Sequence, residues 1–213
     1  TKGISAAVSF NIRSGTYNEQ VSISQIRGSS VTDTVTFQAE DTAQVVVTYT
    51  PSSVENYIFG LNGGDNVVIQ NLTLTNTGNY YNGACVNFGD GSNNIVIRNN
   101  TLNGSDYGYT YHTSSPILSE SSASNDSISI INNTINNGSY GIYLQAESQT
   151  NPDKNLVISG NTIQNFHYRG IYILWQDSSL IATNSIIGKT SGGNSTQVGI
   201  YAYMCDGSVR ISR

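Results

Sequence analysis

One pattern returns along most of this chain and limits what it can fold into. It reads NVVIQNLTL (66–74), NIVIRNNTL (94–102), SISIINNTI (127–135), NLVISGNTI (155–163) and SLIATNSII (179–187), with a shortened SVRISR at 208–213. Each segment opens on a period-two alternation, as in Val67 and Ile69, Ile95 and Ile97, Ile128 and Ile130, Leu156 and Ile158. Alternate residues of a strand share a face, so the alternation predicts a strand buried on one side.

A bend is expected next. Asn71, Asn99, Asn132 and Asn184 fall there, with Gly160 in the remaining copy. Asn and Gly best tolerate left-handed backbone geometry, so the chain can turn sharply at these positions. A shorter strand follows. One of its faces holds Leu72, Asn100, Asn133, Asn161 and Ser185 together with Leu74, Leu102, Ile135, Ile163 and Ile187. The second set belongs inside, so the first set is expected inside too. Three successive Asn side chains then stack in the core, their amides hydrogen-bonded along the stack.

After a variable loop, a glycine opens a third strand: Gly83, Gly108, Gly141, Gly170 and Gly199, spaced by 25, 33, 29 and 29 residues. Three short strands per turn, with insertions at the corners, describe an all-β parallel solenoid. The N-terminal quarter is less regular, but VSFNIRSGTY, EQVSI, TVTFQAE and QVVVTY supply strands of the same size, and YIFGL (57–61) is expected to begin the next coil. The reading is about seven coils of about 25–33 residues, roughly 34 Å long at the strand spacing. No break in composition divides residues 1–213, which read as a single domain.

Composition excludes several functions. The formal net charge is -5 and no Lys/Arg cluster occurs, which argues against a nucleic-acid partner. No apolar run approaches the roughly 18 residues of a membrane span. Recurring Ile and Val and 14 Tyr argue against disorder. Cys85 and Cys205 lie far apart in the repeat register, so neither a disulfide nor a metal motif is expected of them.

The NxVIxxNxI segments and the Asn-rich bend resemble the right-handed parallel β-helix proteins of the pectin-lyase-like superfamily, over most of the chain from Val8 to Ser212. FNIRSGTYNEQVSI, TVTFQAED and NYIFGLNGGDNVVIQNLTL are similar to the start of long secreted bacterial surface proteins with this fold. The resemblance implies an extracellular or cell-surface location. It leaves function open, because one fold hosts lyases, hydrolases, esterases, adhesins and phage spikes. GTYNE (15–19) and NYIFG (56–60) look like two motifs of the pectin methylesterases, but Asn56 stands where that family has its Asp nucleophile. An amide cannot serve as a carboxylate nucleophile. The two motifs are also closer together than in that family, and no LGRPW-like segment follows.

In the superfamily, substrate clefts commonly lie on the outer face of the strand that here begins after glycine. Parity points Ile142, Leu144, Ile171, Ile173, Ile200 and Ala202 inward. Tyr143, Tyr172 and Tyr201 then form one outward column, preceded by Cys85 and Thr110. A second outward column reads Asn87, His112, Gln145, Leu174, Tyr203. Trp175 has inward parity and reads as a core or corner filler. Loop residues Tyr80, Tyr81, Tyr107, Tyr140, Phe166 and Tyr168 flank the columns.

Neither column contains Asp, Glu, Lys or Arg. Glycoside hydrolysis needs two carboxylates about 5–10 Å apart. The nearest acids are expected in the following turn, at Asp90, Glu147, Asp177 and Asp206, and the nearest bases in the preceding loop, at His167 and Arg169. A strand of about five residues, roughly 16 Å, separates the two groups. Glu147, Asp177 and Asp206 are weak candidates to hold Ca²⁺; each coil brings about one carboxylate, whereas Ca²⁺ takes six or more oxygens, so no cofactor is the leading expectation and Ca²⁺ the alternative.

The leading expectation is a non-catalytic segment of a secreted or cell-surface protein, for adhesion or glycan binding. Tyr143, Tyr172, Tyr201, Tyr203, His112 and Gln145 are its contact candidates, with sugar rings stacking on aromatic rings and amides bonding sugar hydroxyls. The alternatives are a polysaccharide lyase or glycoside hydrolase, and a structural stalk in which the tyrosine row only stabilises the sheet. Thr1 is not a natural start and Arg213 falls inside a strand pattern, so further domains of a longer parent chain are expected partners.

Overall fold

The alternating segments form what their periodicity demands: short strands whose alternate residues point to one apolar interior. In the computed structural model, which describes residues 2–41, 43–78, 81–89, 91–106, 110–120 and 124–212, every strand of the three main sheets pairs in parallel. The first sheet has eight strands, from Val8–Ile12 to Arg210–Ser212; the second has seven, from Gly15–Asn18 to Ser185–Gly188. The third also has seven, from Val21–Ser24 to Val198–Tyr203. The chain visits the sheets in turn, one strand of each per coil, giving seven coils with Arg210–Ser212 opening an eighth. No helix occurs among the described residues.

In-register columns of apolar residues fill the interior. Ile69, Ile97, Ile130, Ile158 and Ile181 stack under the first sheet, and Leu74, Leu102, Ile135 and Ile163 under the second, all fully buried. Coil length varies more than the repeats suggest, from 23 residues (Val157 to Leu180) to 38 (Val21 to Phe59). The corner loops absorb the difference. YIFGL does not open a coil: Phe59–Asn62 is the third strand of the second coil.

The bend geometry is as the residue types require. Asn71, Asn99, Asn132 and Gly160 have φ of 58°, 56°, 54° and 66°. The last full coil departs by one residue from the expected alignment. There Thr183 takes the left-handed position (φ 54°), and Asn184 moves into the interior beside Asn161. The expected pairing of Ser185 and Ile187 with the inward set is therefore wrong. Ile186 pairs with Ile163, while Ile187 points out and is 53% exposed. Satisfying the Asn161 amide outweighed the strain of a β-branched residue at positive φ.

The buried amide stack runs through four residues. Asn100, Asn133 and Asn161 each donate their backbone N–H to the Oδ1 of the next Asn, at 3.0, 2.9 and 2.9 Å. Their Nδ2 groups reach the same oxygens at 3.1, 3.0 and 2.9 Å. Each Nδ2 in the stack, including that of Asn184, also donates to a carbonyl of the first sheet, Ile69, Ile97, Ile130 or Ile158. The stack thus ties the first sheet to the second inside the apolar interior, where an unpaired amide costs most.

A second buried stack, unforeseen in the sequence, lies at the corner leading into the first sheet. The Ser92 N–H donates to Asn125 Oδ1 and the Asn125 N–H to Asp153 Oδ1, both at 2.8 Å; Gln176 Nε2 donates to Asp153 Oδ2 at 3.2 Å. Burial raises the Asp153 pKa to about 6, against the opposing effect of these donors.

Candidate functional site

The third sheet carries the tyrosine row on its outer face. Tyr143, Tyr172 and Tyr201 occupy one register position in the last three coils. Their glycine neighbours make that strand possible by close approach of backbone and side chain. A Cβ on Gly141 would lie 2.4 Å from Ile163 Cγ2, and one on Gly170 2.5 Å from Ile186 Cγ2. The contact between second and third sheets thus requires glycine at Gly141 and Gly170, whereas a Cβ on Gly199 would meet only Ile186 Cγ2 at 3.8 Å, an ordinary contact. Gly83 plays another part: it lies before the strand Val86–Gly89 and packs on Ser114, while Gly108 lies outside the described residues.

The rings stack on one another. Tyr143 and Tyr172 are 4.7 Å apart at 8°, and Tyr172 and Tyr201 5.6 Å apart at 6°. Their facing surfaces are thus occupied by other rings. Tyr143 is only 8% exposed: His112 lies 4.9 Å away at 30°, Tyr140 packs against it edge-on, and its hydroxyl donates to Gln145 at 2.6 Å. Exposure rises toward the C-terminal end, where Tyr203 is 44% exposed and tilted 38° to Tyr201. Burial pushes the Tyr140 hydroxyl up to about 12 and raises those of Tyr143 and Tyr172, so all three stay neutral and act as hydrogen-bonding groups.

The columns upstream of Tyr143 differ from the sequence expectation. Tyr143 is preceded in register by Leu118, Asn87 and Gly60, so Asn87 belongs to the tyrosine column and Cys85 to neither. Cys85 is buried and its thiol donates to the carbonyls of Leu74 and Asn103. His112 and Thr110 are not strand residues: the third strand of the fourth coil is Ile117–Ser119. The strand was hidden because its inward Ser119 is polar, held by the Asn125 amide at 3.1 Å. His112 reaches the row from the preceding loop, and Gln145, Leu174 and Tyr203 do share the second column.

Two charged groups lie on this face, contrary to expectation. Glu120 follows Ser119 and its Oε1 accepts from His112 Nε2 at 2.7 Å, beside Tyr143. Arg169 begins the strand Arg169–Leu174 and lays its guanidinium back along the rings. Its Cζ lies 3.8 Å from the Tyr201 centroid, 4.5 Å from Tyr168 and 5.1 Å from Tyr172, and its Nη2 donates to the Tyr168 hydroxyl at 3.0 Å. The long Arg side chain carries its charge from the start of its strand to the Tyr201 ring of the neighbouring strand.

Other candidates lie elsewhere. His167 is buried, and desolvation lowers its pKa. Phe166 is in the core; Trp175 turns a corner at φ 56°. Tyr81 pairs with Tyr111 at 4.9 Å, while Tyr80, Tyr107 and Asp90 lie outside the described residues. Asn56 is structural, donating to the Thr113 carbonyl and accepting from the Ala84 N–H. For Ca²⁺ the fit is poor. Glu147 accepts from Asn151; Asp177 is in register with Asp206 but also with Lys154. Among the described residues no three His, Cys, Asp or Glu side chains converge.

Three parallel sheets wound from one chain, with an aromatic and amide surface on the third, define the class: a parallel β-helix repeat protein. The model of the right-handed β-helix region matches residues 14–187, and the chain belongs to that family. No curated protein matches the chain. Among solved structures it is similar to the Dettilon tailspike protein, with a TM-score of 0.39 and 12% identity over 98% of this chain and 50% of that one. This chain thus spans half the length of that tailspike chain. No helix among the described residues is long and apolar enough to cross a membrane.

Proposed function

We propose that this β-helix is a non-catalytic glycan-binding segment of a secreted or cell-surface protein, acting in adhesion through the outer face of its third sheet. The observation that carries the reading is the open end of the aromatic row, where Tyr201 and Tyr203 stand beside the Arg169 guanidinium. Because Tyr143 and Tyr172 stack within the row, a sugar stacks at Tyr203 and the outer side of Tyr201, and meets the others along their edges. Gln145 and His112 supply hydrogen bonds at the far end. Glycan-array binding by the wild-type chain should be lost in a Tyr201→Ala/Tyr203→Ala double variant. Full binding by that variant would sink the assignment.

A second reading, glycan processing, is favoured by one observation: the His112–Glu120 pair beside Tyr143. A histidine held by a carboxylate can take and return a proton. Release of reducing or unsaturated ends from neutral or acidic polysaccharides, lost in His112→Ala, would establish this reading over the non-catalytic one.

A further inference from the structure

The chain carries seven Asn-X-Ser/Thr sequences, at Asn71, Asn99, Asn103, Asn125, Asn132, Asn137 and Asn194, and the fold sets one of them apart. Asn125 is buried. Asn103 and Asn137 have their Nδ2 groups engaged, by Thr75 Oγ1 at 3.1 Å and the Gly104 carbonyl at 3.2 Å. Asn71, Asn99 and Asn132 are exposed at the bends, but Thr73, Thr101 and Thr134 lie in strands of the second sheet that are paired on both sides. Asn194, Ser195 and Thr196 instead lie in the loop between Ser185–Gly188 and Val198–Tyr203. Asn194 is half-buried, and Ser195 and Thr196 are exposed. The Thr196 hydroxyl donates to Asn194 Oδ1 at 2.7 Å, and the Thr196 N–H donates to the same oxygen at 2.9 Å. Asn194 Nδ2 makes no hydrogen bond among the described residues. The loop itself is anchored. The Asn194 N–H donates to the His167 carbonyl at 3.0 Å, and Gln197 Nε2 to the carbonyls of Phe166, His167 and Lys189.

We propose that Asn194 is a site of N-linked glycosylation. The reaction asks a poor nucleophile, an amide nitrogen, to attack the anomeric carbon of a sugar activated as a phosphate ester. Asn194 Nδ2 forms the new N–C bond and gives one proton to a base of the transferase. The C–O bond to phosphate breaks, and the phosphate leaves with the electron pair. As Nδ2 loses its proton, negative charge builds on Oδ1. The Thr196 hydroxyl and N–H already point at that oxygen and stabilise the charge without reorganisation. Both protons of Nδ2 stay open to the incoming base. Access is the second requirement. A transferase has to surround its acceptor segment, and a strand bonded on both sides leaves its sheet only by giving up backbone hydrogen bonds. The three bend sequences carry that cost, whereas the loop at Asn194 does not. Sugars on asparagine belong to such surface loops. A lipid-linked oligosaccharide and a nucleotide-linked monosaccharide share the donor chemistry. The inference stands apart from the glycan-binding reading, because here the sugar is attached rather than recognised.

The test maps sugar on the purified, folded chain in two arms. One arm supplies a lipid-linked oligosaccharide with an oligosaccharyltransferase, the other a nucleotide-linked hexose with a soluble N-glycosyltransferase. Glycopeptide mass spectrometry reads the position and the added mass, an oligosaccharide block in the first arm and a single hexose in the second. Asn194 should be filled in at least one arm, which identifies the donor. Its rate should exceed that at Asn71, Asn99 or Asn132 at least about tenfold. Thr196→Val, which keeps the size and removes the hydroxyl, should abolish the modification with an unchanged melting curve, and Thr196→Ser should retain it. Tyr201→Ala/Tyr203→Ala should leave the modification intact, so failure of glycan binding and failure of this site are separate results. No sugar at Asn194 in either arm overturns the proposal. So does equal filling of Asn194 and the three bend asparagines.

Discussion

The amide stack inside the helix and the tyrosine row outside it obey the same repeat and are held by opposite means. Asn100, Asn133 and Asn161 sit where water cannot reach, and each depends on the next Asn for its hydrogen bonds, with the half-buried Asn184 closing the stack. Tyr143, Tyr172 and Tyr201 lie on the outer face of a sheet, Tyr143 nearly covered and Tyr172 and Tyr201 half-buried, and their contacts with one another are stacking contacts that water replaces in part where the rings are open. A stack in the interior is therefore obligatory once begun, because every unpaired amide carries its full desolvation cost. A stack on the outside is optional, and its rings can be lost one at a time. Repetition on the surface is thus free to serve binding.

The largest expected effect is on the inner stack. Asn133→Leu leaves the Asn100 N–H, the Asn100 amide and the Ile97 carbonyl without their partner. Urea unfolding should show a loss of about 4 kcal/mol. If it shows less than about 1 kcal/mol, the contrast between inner and outer stacks fails.

Asp153 tests what happens when such a buried stack contains an acid. Its pKa is raised from 3.8 to about 6, so the folded chain holds a proton that the unfolded chain has already released between those values. Stability should therefore fall as pH rises from about 4 to 6 and stay about 2–3 kcal/mol lower above that window. Asp153→Asn should remove this pH dependence, as read from melting temperature at pH 4 and pH 8.

On the outer row, Tyr172→Ala removes two stacked neighbours and should cost about 1–2 kcal/mol of stability, without loss of fold. The smallest effect is a gain. Thr183→Asn places a tolerant residue at φ 54°, as at the equivalent bends, and should stabilise by about 1 kcal/mol.

Much of this was legible because a solenoid writes its geometry into spacing. The strand parity, the left-handed bends and the Asn100–Asn133–Asn161 stack all follow from local pattern. The second buried stack had a signal of the same kind. Ser92 to Asn125 and Asn125 to Asp153 are 33 and 28 residues apart, the same separations as Asn100 to Asn133 and Asn133 to Asn161. It is less visible in the sequence because its members, Ser92, Asn125 and Asp153, differ in type. The strand Ile117–Ser119 was concealed in a serine-rich loop, which displaced His112 from its predicted column.

The sequence by itself determined the coil: which residues face in, where the chain bends, and that tyrosines return at one position. These depend on periodicity and backbone preference, which are properties of neighbours in the chain. Only the tertiary structure decided what that position presents. The ring faces are taken up by neighbouring rings, Arg169 lies across them, and Glu120 meets His112. Such contacts depend on side-chain reach between coils, across corner loops of unequal length that no repeat specifies.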